Sequence, residues 1–271
     1  MKFVDVYAQS VGRNSTFVFY GLDDGPFSMD EYSYKIYSGR NKSDLTLVGE
    51  DIKVNHYVDK DMLSESPYTT KYYKIELHGL GGVLCVSQII PVNQQTGDLK
   101  AKKMASNYKL VLDKKSGSEA MYYVRRKSGM RCPVCYDDKI KASVVSNCEN
   151  CGGVGIMDGY YDPIEFKGMF SRKTGKLDPG IPTSDGMPGS VTMSNAPIAT
   201  VKDVIYEVPR NRLWRVQSVD SLEHNSNVYA QKLMVTSIPN TSALFDRITE
   251  GINVGAIKDR AKEVDGTGVM L

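Results

Sequence analysis

From Tyr32 to Tyr37 polar and apolar side chains alternate, placing Tyr32, Tyr34 and Ile36 on one face. The same period returns at Tyr72–Leu77, where Tyr73, Ile75 and Leu77 face one way and Tyr72, Lys74 and Glu76 the other. A period of two belongs to a strand with one buried face. Leu45–Val48, Ile52–Val54 and the β-branched run Val83–Ile90 add short strand candidates. LDDGP at 22–26, SGRNKSD at 38–44 and SESP at 64–67 separate these runs. Such clusters are rich in the residues that make turns. Residues 1–95 therefore read as a β-sandwich.

The period changes at residue 98. Ala101, Met104, Ala105, Tyr108, Val111 and Leu112 recur at three- and four-residue spacing, the stripe of a helix over 98–112. Thr96, Gly97 and Asp98 offer a turn and an N-cap, and KKSGS at 114–118 ends the helix. Strand patterning then resumes. Met121–Arg126 and Gly159–Phe170 read as two arms of one hairpin, with the segment 128–158 at its tip. Ser190–Met193, Asp203–Val208, Leu213–Val219 and Val228–Ile238 supply further strands, enough for a small β-barrel. In Leu213–Val219, strict alternation puts Leu213, Arg215, Gln217 and Val219 on one face, opposite Trp214, Val216 and Ser218. The chain is thus expected to be mainly β: a sandwich over 1–95, a helix plus barrel over 96–249, and a tail or arm over 250–271. The loop at 173–190 and the tail, with Ile252, Val254, Ile257 and Val264, read as segments that order on a neighbouring subunit.

Composition narrows the function classes. A charged fraction of 24% and a hydrophobic fraction of 41% are those of a folded chain. No apolar run approaches the roughly 20 residues of a helical membrane span, so no membrane partner is expected. The opening residues show no secretory signal pattern. Net charge is only +2, yet residues 97–176 hold 16 basic against 9 acidic side chains, which makes the middle the place for an anionic partner. The phosphate-loop, dinucleotide, zinc-protease and serine-hydrolase motifs are all missing, and GLGG at 79–82 reads as a turn. The acidic pairs Asp23–Asp24 and Asp137–Asp138 lie in turn-like stretches, and His224 in a hairpin loop. No catalytic residue is nominated, and the chain is not expected to be an enzyme.

The cysteines carry the sharpest signal. Cys132, Cys135, Cys148 and Cys151 form CPVC-x12-CENC, two CxxC pairs that can bring four thiolates to one ion. Four thiolates close a tetrahedral shell, and His56, His78 and His224 all lie far from the motif in sequence. The expectation is a structural Zn2+; an iron–sulfur cluster is the weaker alternative for the same ligands. Cys85, inside a β-branched run, reads as a small buried apolar residue. CENCGGVG matches one repeat of the DnaJ-type chaperone zinc domain, but a single repeat, with CPVCYDDK lacking the glycines, argues against that family.

Two resemblances add to this reading. YKIYSGRNKSDLTLVGE and TTKYYKIELHG resemble the middle and penultimate strands of fibronectin type III domains, across roughly 1–92. This implies an immunoglobulin/fibronectin III-like sandwich and says little about function. The second covers about 98–170. A helix ending YKLVL is followed by YYVRRKSGMRCPVC, CENCGGVG and GYYDPIEF. The run resembles neck proteins of tailed bacteriophages on Arg125, Arg126, Gly129, Arg131, Cys132, Cys135, Cys148, Cys151, Gly153, Gly155, Gly159, Tyr160, Tyr161, Asp162, Pro163 and Ile164. EVPRNRLWRVQSV and IPNTSALFD resemble the barrel of head-closure and head–tail connector proteins. These resemblances imply a virion protein at the phage neck, a cyclic homo-oligomer that meets portal or adaptor and tail proteins, with non-specific contact to passing DNA. The alternatives are another tail, baseplate or decoration protein, or a zinc-ribbon nucleic-acid-binding protein.

Overall fold

The computed structural model describes residues 1–11, 15–23, 31–60, 70–93, 98–145, 147–172 and 186–251. The expected turn at 64–67, most of the loop at 173–190 and nearly all of the tail at 250–271 lie outside them, as do Asp24, Thr96 and Gly97. No helix among the described residues is long and apolar enough to cross a membrane.

The front half is a β-sandwich. Strands β1 (Phe3–Val11), β2 (Ser15–Leu22) and β5 (His56–Asp59) form one sheet; β3 (Ser33–Asn41), β4 (Asp44–Ile52), β6 (Tyr72–Gly79) and β7 (Gly82–Val86) form the other. β8 (Ile90–Asn93) joins them, pairing parallel with β1 and antiparallel with β6. Between the sheets lie Val18, Tyr20, Leu22, Tyr34, Ile36, Tyr73, Ile75 and Leu77, so the alternations at 32–37 and 72–77 point as their period predicts. GLGG is the β6–β7 turn, with Gly79 opposite Gly82. The run 83–90 is not one buried strand. It divides between β7 and β8, and β7 pairs only with β6 among the described strands. As an edge strand it leaves Val83, Leu84 and Val86 about half exposed, and Cys85 is half-buried rather than buried.

Asp98 caps α1 (Leu99–Val111) by accepting the Ala101 N–H at 2.9 Å, and a π-helical turn (Leu112–Ser116) ends the helix. The buried stripe is narrower than expected. Ala101, Ala105 and Leu112 are buried, while Val111 points outward.

The back half is a closed six-strand barrel. Its strands β9 (Ser118–Tyr123), β12 (Ile164–Arg172), β13 (Pro188–Ser194), β14 (Val204–Glu207), β15 (Arg212–His224) and β16 (Asn227–Ile238) run in the order β12-β13-β16-β15-β14-β9, with β9 pairing β12. Inside lie Tyr122, Ile164, Phe166, Val191, Met193, Ile205, Trp214, Val216, Leu233 and Val235. The alternation expected along β15 is broken at Gln217. Val216 pairs with Val235 and Ser218 with Met234, so Gln217 is an extra, bulged residue. Val219 thereby packs against the same cluster as Trp214 and Val216 instead of facing away. The β15–β16 turn is Asn225-Ser226, both at positive φ, the form that suits a two-residue hairpin. His224 sits beside it, and its Nδ1 lies 2.9 Å from Asp98 Oδ2.

Several elements, β1, β2, β5 and α2 among them, carry no expectation from the sequence, and two of these position the site. β2 is buried on both faces. Val18, Tyr20 and Leu22 enter the sandwich core, while Phe17 and Phe19 join Val11 in the barrel's core cluster. Asn195 Nδ2 donates to Ser10 O at 2.7 Å and Ile198 N to Tyr7 Oη at 3.1 Å across the same junction. The second is α2 (Ala243–Gly251). Its Leu244, Phe245 and Ile248 cover Met121, Tyr123, Val204, Tyr206, Leu213 and Ile238 on the outside of the barrel.

Candidate metal centre

The excursion between β9 and β12 begins as an extension of the barrel wall. Tyr161 N donates to Val124 O, Arg126 N to Gly159 O, Met157 N to Met130 O and Cys132 N to Gly155 O, at 2.8–2.9 Å. Bridges pair Arg125 with Tyr160 and Arg131 with Ile156. The hairpin read from the sequence is therefore present, and its antiparallel ladder delivers Cys132 to its far end. Beyond the first cysteine pair, β10 (Tyr136–Asp137) and β11 (Ala142–Ser143) fold back, and Val144 N donates to Cys135 O at 2.9 Å.

The four cysteines named from the sequence meet there. The sulfurs of Cys132, Cys135, Cys148 and Cys151 all lie within 4.8 Å of one another, and each residue is at most 4% exposed. Sγ–Sγ separations are 3.7 Å for Cys132–Cys148 and 3.2 Å for Cys135–Cys151. These exceed the roughly 2.05 Å of a disulfide, and all four thiols are free. A tetrahedron with metal–sulfur bonds of about 2.3 Å has edges of about 3.8 Å. The donor set and spacing fit a metal ion.

Backbone N–H groups face the sulfurs. Gly155 N donates to Cys151 Sγ at 3.2 Å, from a φ of +86° that a residue with a Cβ rarely adopts. Burial pushes the Cys132 thiol up, but the N–H groups of Val134 and Cys135 and the neighbouring thiols outweigh it and hold Cys132 at about 7. Cys135 is pushed up to about 12 by burial, and Cys151 is raised for the same reason. Four thiols crowded in a buried site cannot all ionise unaided, whereas a cation among them reverses that balance.

The other residues of the motif hold this loop in shape. The Arg126 guanidinium stacks 4.5 Å from the Tyr161 ring centroid, and Arg131 lies 4.9 Å from that of Tyr136 while pairing with Asp138. Asp137 Oδ1 accepts the Lys139 N–H at 2.7 Å, so the Asp137–Asp138 pair is spent on a turn and an ion pair. Gly159 has φ +58°, and a Cβ there would meet the Cys151 carbonyl. None of the three histidines joins the sulfur cluster: His56 and His78 belong to the sandwich, and His224 to the β15–β16 turn. The sequence reading missed the contacts made by α2. Asn147, Asn150 and Asp158 each bond to it, and Leu244 lies against Gly152. The apolar spacing Leu244, Phe245, Ile248 was the available signal.

The hairpin also presents apolar side chains to solvent: Met130, Val134, Ile140, Val144 and Val145 are 43–68% exposed.

No family model matches the chain, and no curated protein matches it. Among solved structures it is similar to a Fn3-like protein from Clostridium thermocellum, at 16% identity and TM-score 0.27, covering 32% of this chain and 85% of that one. It is also similar to the sixth fibronectin type III domain of human fibronectin type III domain containing protein 3, at 14% identity and TM-score 0.27, covering 35% and 88%. A third similarity, to titin kinase with its flanking domains, has 12% identity and TM-score 0.28 and covers 88% of this chain and 37% of that one.

Proposed function

We propose that this chain is a structural virion protein, a subunit of a ring at the head–tail neck of a tailed bacteriophage, with a structural zinc ion held by Cys132, Cys135, Cys148 and Cys151. The observation that carries the reading is the sulfur cluster at the end of a hairpin that prolongs a closed barrel. The residues shared with the neck-protein motif, from Arg126 to Tyr161, serve to shape that hairpin. Four thiolates fill a tetrahedral shell and leave no position for water or substrate, so the metal's work is to order the loop. The exposed apolar side chains of the hairpin are surface that an assembly covers. A ring repeats one heterologous contact around a closed axis, so its copies need two different patches each. Portal or adaptor proteins on one side and tail proteins on the other are the remaining partners. Passing DNA meets the exposed Lys100, Lys103, Lys114 and Lys115 through its phosphates, without sequence preference.

Imaging of virions at a resolution that traces the neck tests the reading. A cyclic set of copies on the portal axis is expected; single copies on the capsid exterior would overturn it. Elemental analysis of the undenatured protein tests the metal, with zinc expected and iron favouring a cluster instead. A zinc-ribbon regulator remains the second reading because of those lysines. A monomer with steeply salt-dependent, sequence-selective DNA affinity would favour it.

A further inference from the structure

We propose that helix α2 is the outer shell of the metal centre, with Arg247 as its positioning residue, so that metal binding and the docking of α2 strengthen each other. The inference rests on the reading that the four thiolates hold a metal ion. Contacts run from α2 and from Ser242 just before it to residues before, between and after the second cysteine pair. Asn147, just before Cys148, accepts at Oδ1 from Ser242 Oγ (2.7 Å) and Ala243 N (3.1 Å). It gives an acceptor to an N–H of the first helical turn, which the helix cannot satisfy by itself. Asn150 lies between the two cysteines, and its carbonyl accepts from Arg247 Nη1 at 2.6 Å. The same guanidinium donates from Nη2 to Asp158 Oδ1 at 2.9 Å, next to the Gly159 turn by which the chain leaves the loop. Leu244 is 2% exposed and lies so close to Gly152 that a Cβ there would come within 2.7 Å of its Cδ1.

One guanidinium therefore ties the cysteine knuckle to the base of the hairpin, while Phe245 and Ile248 of the same helix grip the barrel wall. The knuckle needs this hold. Among the described residues, Met157 is the one partly buried hydrophobic side chain packed against the four cysteines. Apolar packing thus does little to set the second cysteine pair against the first, and α2 contributes that constraint from the barrel. Ligands already held in place lose less freedom when the metal arrives. Removing a partner outside the ligand shell typically weakens metal binding about 10- to 100-fold. Coupling between two binding equilibria is reciprocal, so loss of the metal loosens α2 by the same factor.

The test uses the full-length protein and zinc alone as the probe. Metal content is measured first, then zinc affinity by competition with a chelator, and amide exchange of α2 with and without metal. Arg247→Ala is expected to weaken zinc binding about 10-fold or more and to speed exchange in α2. Arg247→Lys, which keeps a cation able to reach one of the two acceptors, is expected to recover part of the affinity. Asp220→Ala, at an exposed position of β15, changes neither. Chelation of the unmutated protein is expected to speed exchange in α2 while β13 and β16 stay protected. Unchanged zinc affinity in Arg247→Ala, or unchanged α2 exchange on chelation, overturns the coupling while leaving the metal site standing. Undenatured protein with no bound metal, and none taken up from added zinc, overturns the metal reading itself and this inference with it.

Discussion

The barrel and the hairpin that grows from it share a backbone ladder but are held by different forces. The barrel closes six strands around large side chains such as Tyr122, Ile164, Met193 and Ile205, each essentially inaccessible. Closure removes the sheet edges, and burial of each large apolar side chain, inside the barrel and where β2 and α2 pack against it, contributes roughly 1.5–3 kcal/mol. The hairpin buries four cysteines and leaves Met130, Val134 and Ile140 more than 60% exposed. A segment of that size cannot form an apolar interior; in the proposed reading a metal ion held by the four thiolates takes the place of one. Side-chain volume specifies the first region, and the positions of a few ligand atoms specify the second.

The sharpest way to separate the two is Cys148→Ser. Structural zinc in finger peptides binds with an apparent ~10–16 kcal/mol, and most of that is expected to be lost. Metal content should fall to nothing and the amides of 128–158 should exchange freely. Trp214, 3% exposed in the barrel core, should keep its buried fluorescence. Loss of that signal together with the metal would mean that the barrel depends on the hairpin after all.

Phe19→Ala probes how far the barrel's core extends. Phe19 stacks on Tyr7 at 5.3 Å and meets Tyr161 edge-on at 5.4 Å, bridging the sandwich and the hairpin's base. A loss of about 3–5 kcal/mol is expected, with the sandwich and barrel still melting in one transition. Two transitions in calorimetry, with only the earlier one shifted, would show that the halves are independent despite the shared cluster.

A smaller effect is expected from Gly159→Ala. Its positive φ costs a residue with a Cβ about 1–2 kcal/mol, and the Cys151 carbonyl stands in the way. The metal-loaded protein should melt earlier, and the metal-free protein much less so. Equal shifts in both would place the strain in the barrel rather than at the site.

The smallest is a pH effect remote from the metal. The Ala101 N–H, followed by His224, holds the Asp98 carboxyl down at about 2. A depressed carboxyl stabilises the fold fully above its unfolded value near 4 and loses that contribution as pH falls through about 2. The difference in melting temperature between the wild type and Asp98→Ala should therefore shrink between pH 4 and pH 2. A constant difference would show that the helix cap gains nothing from the charge.

The sequence by itself determined the periodic parts and the ligand set. Alternation at 32–37 and 72–77 fixes which tyrosines and isoleucines enter the sandwich, because a strand offers its faces in strict turn. Two CxxC pairs bring four sulfurs together because each pair is a local turn, and only the meeting of the pairs is long-range. Asp98 as a cap was legible for the same local reason. Tertiary structure alone decided what depends on a distant neighbour. Phe17-Val18-Phe19-Tyr20 is an unbroken apolar run, and only the barrel's presence on one side explains why both its faces are buried. The bulge at Gln217 reverses the facing of Val219, and an alternation rule applied along one strand cannot see an extra residue that its partner lacks. Cys85 lies half-open because β7 is an edge, which is a property of the sheet rather than of the run. Arg247 reaches Asn150 and Asp158 from roughly 90 residues away, a pairing with no period or spacing to announce it. Local geometry repeats along a chain and can be read from it; the meeting of surfaces does not repeat, and it follows only from where the folded elements come to rest.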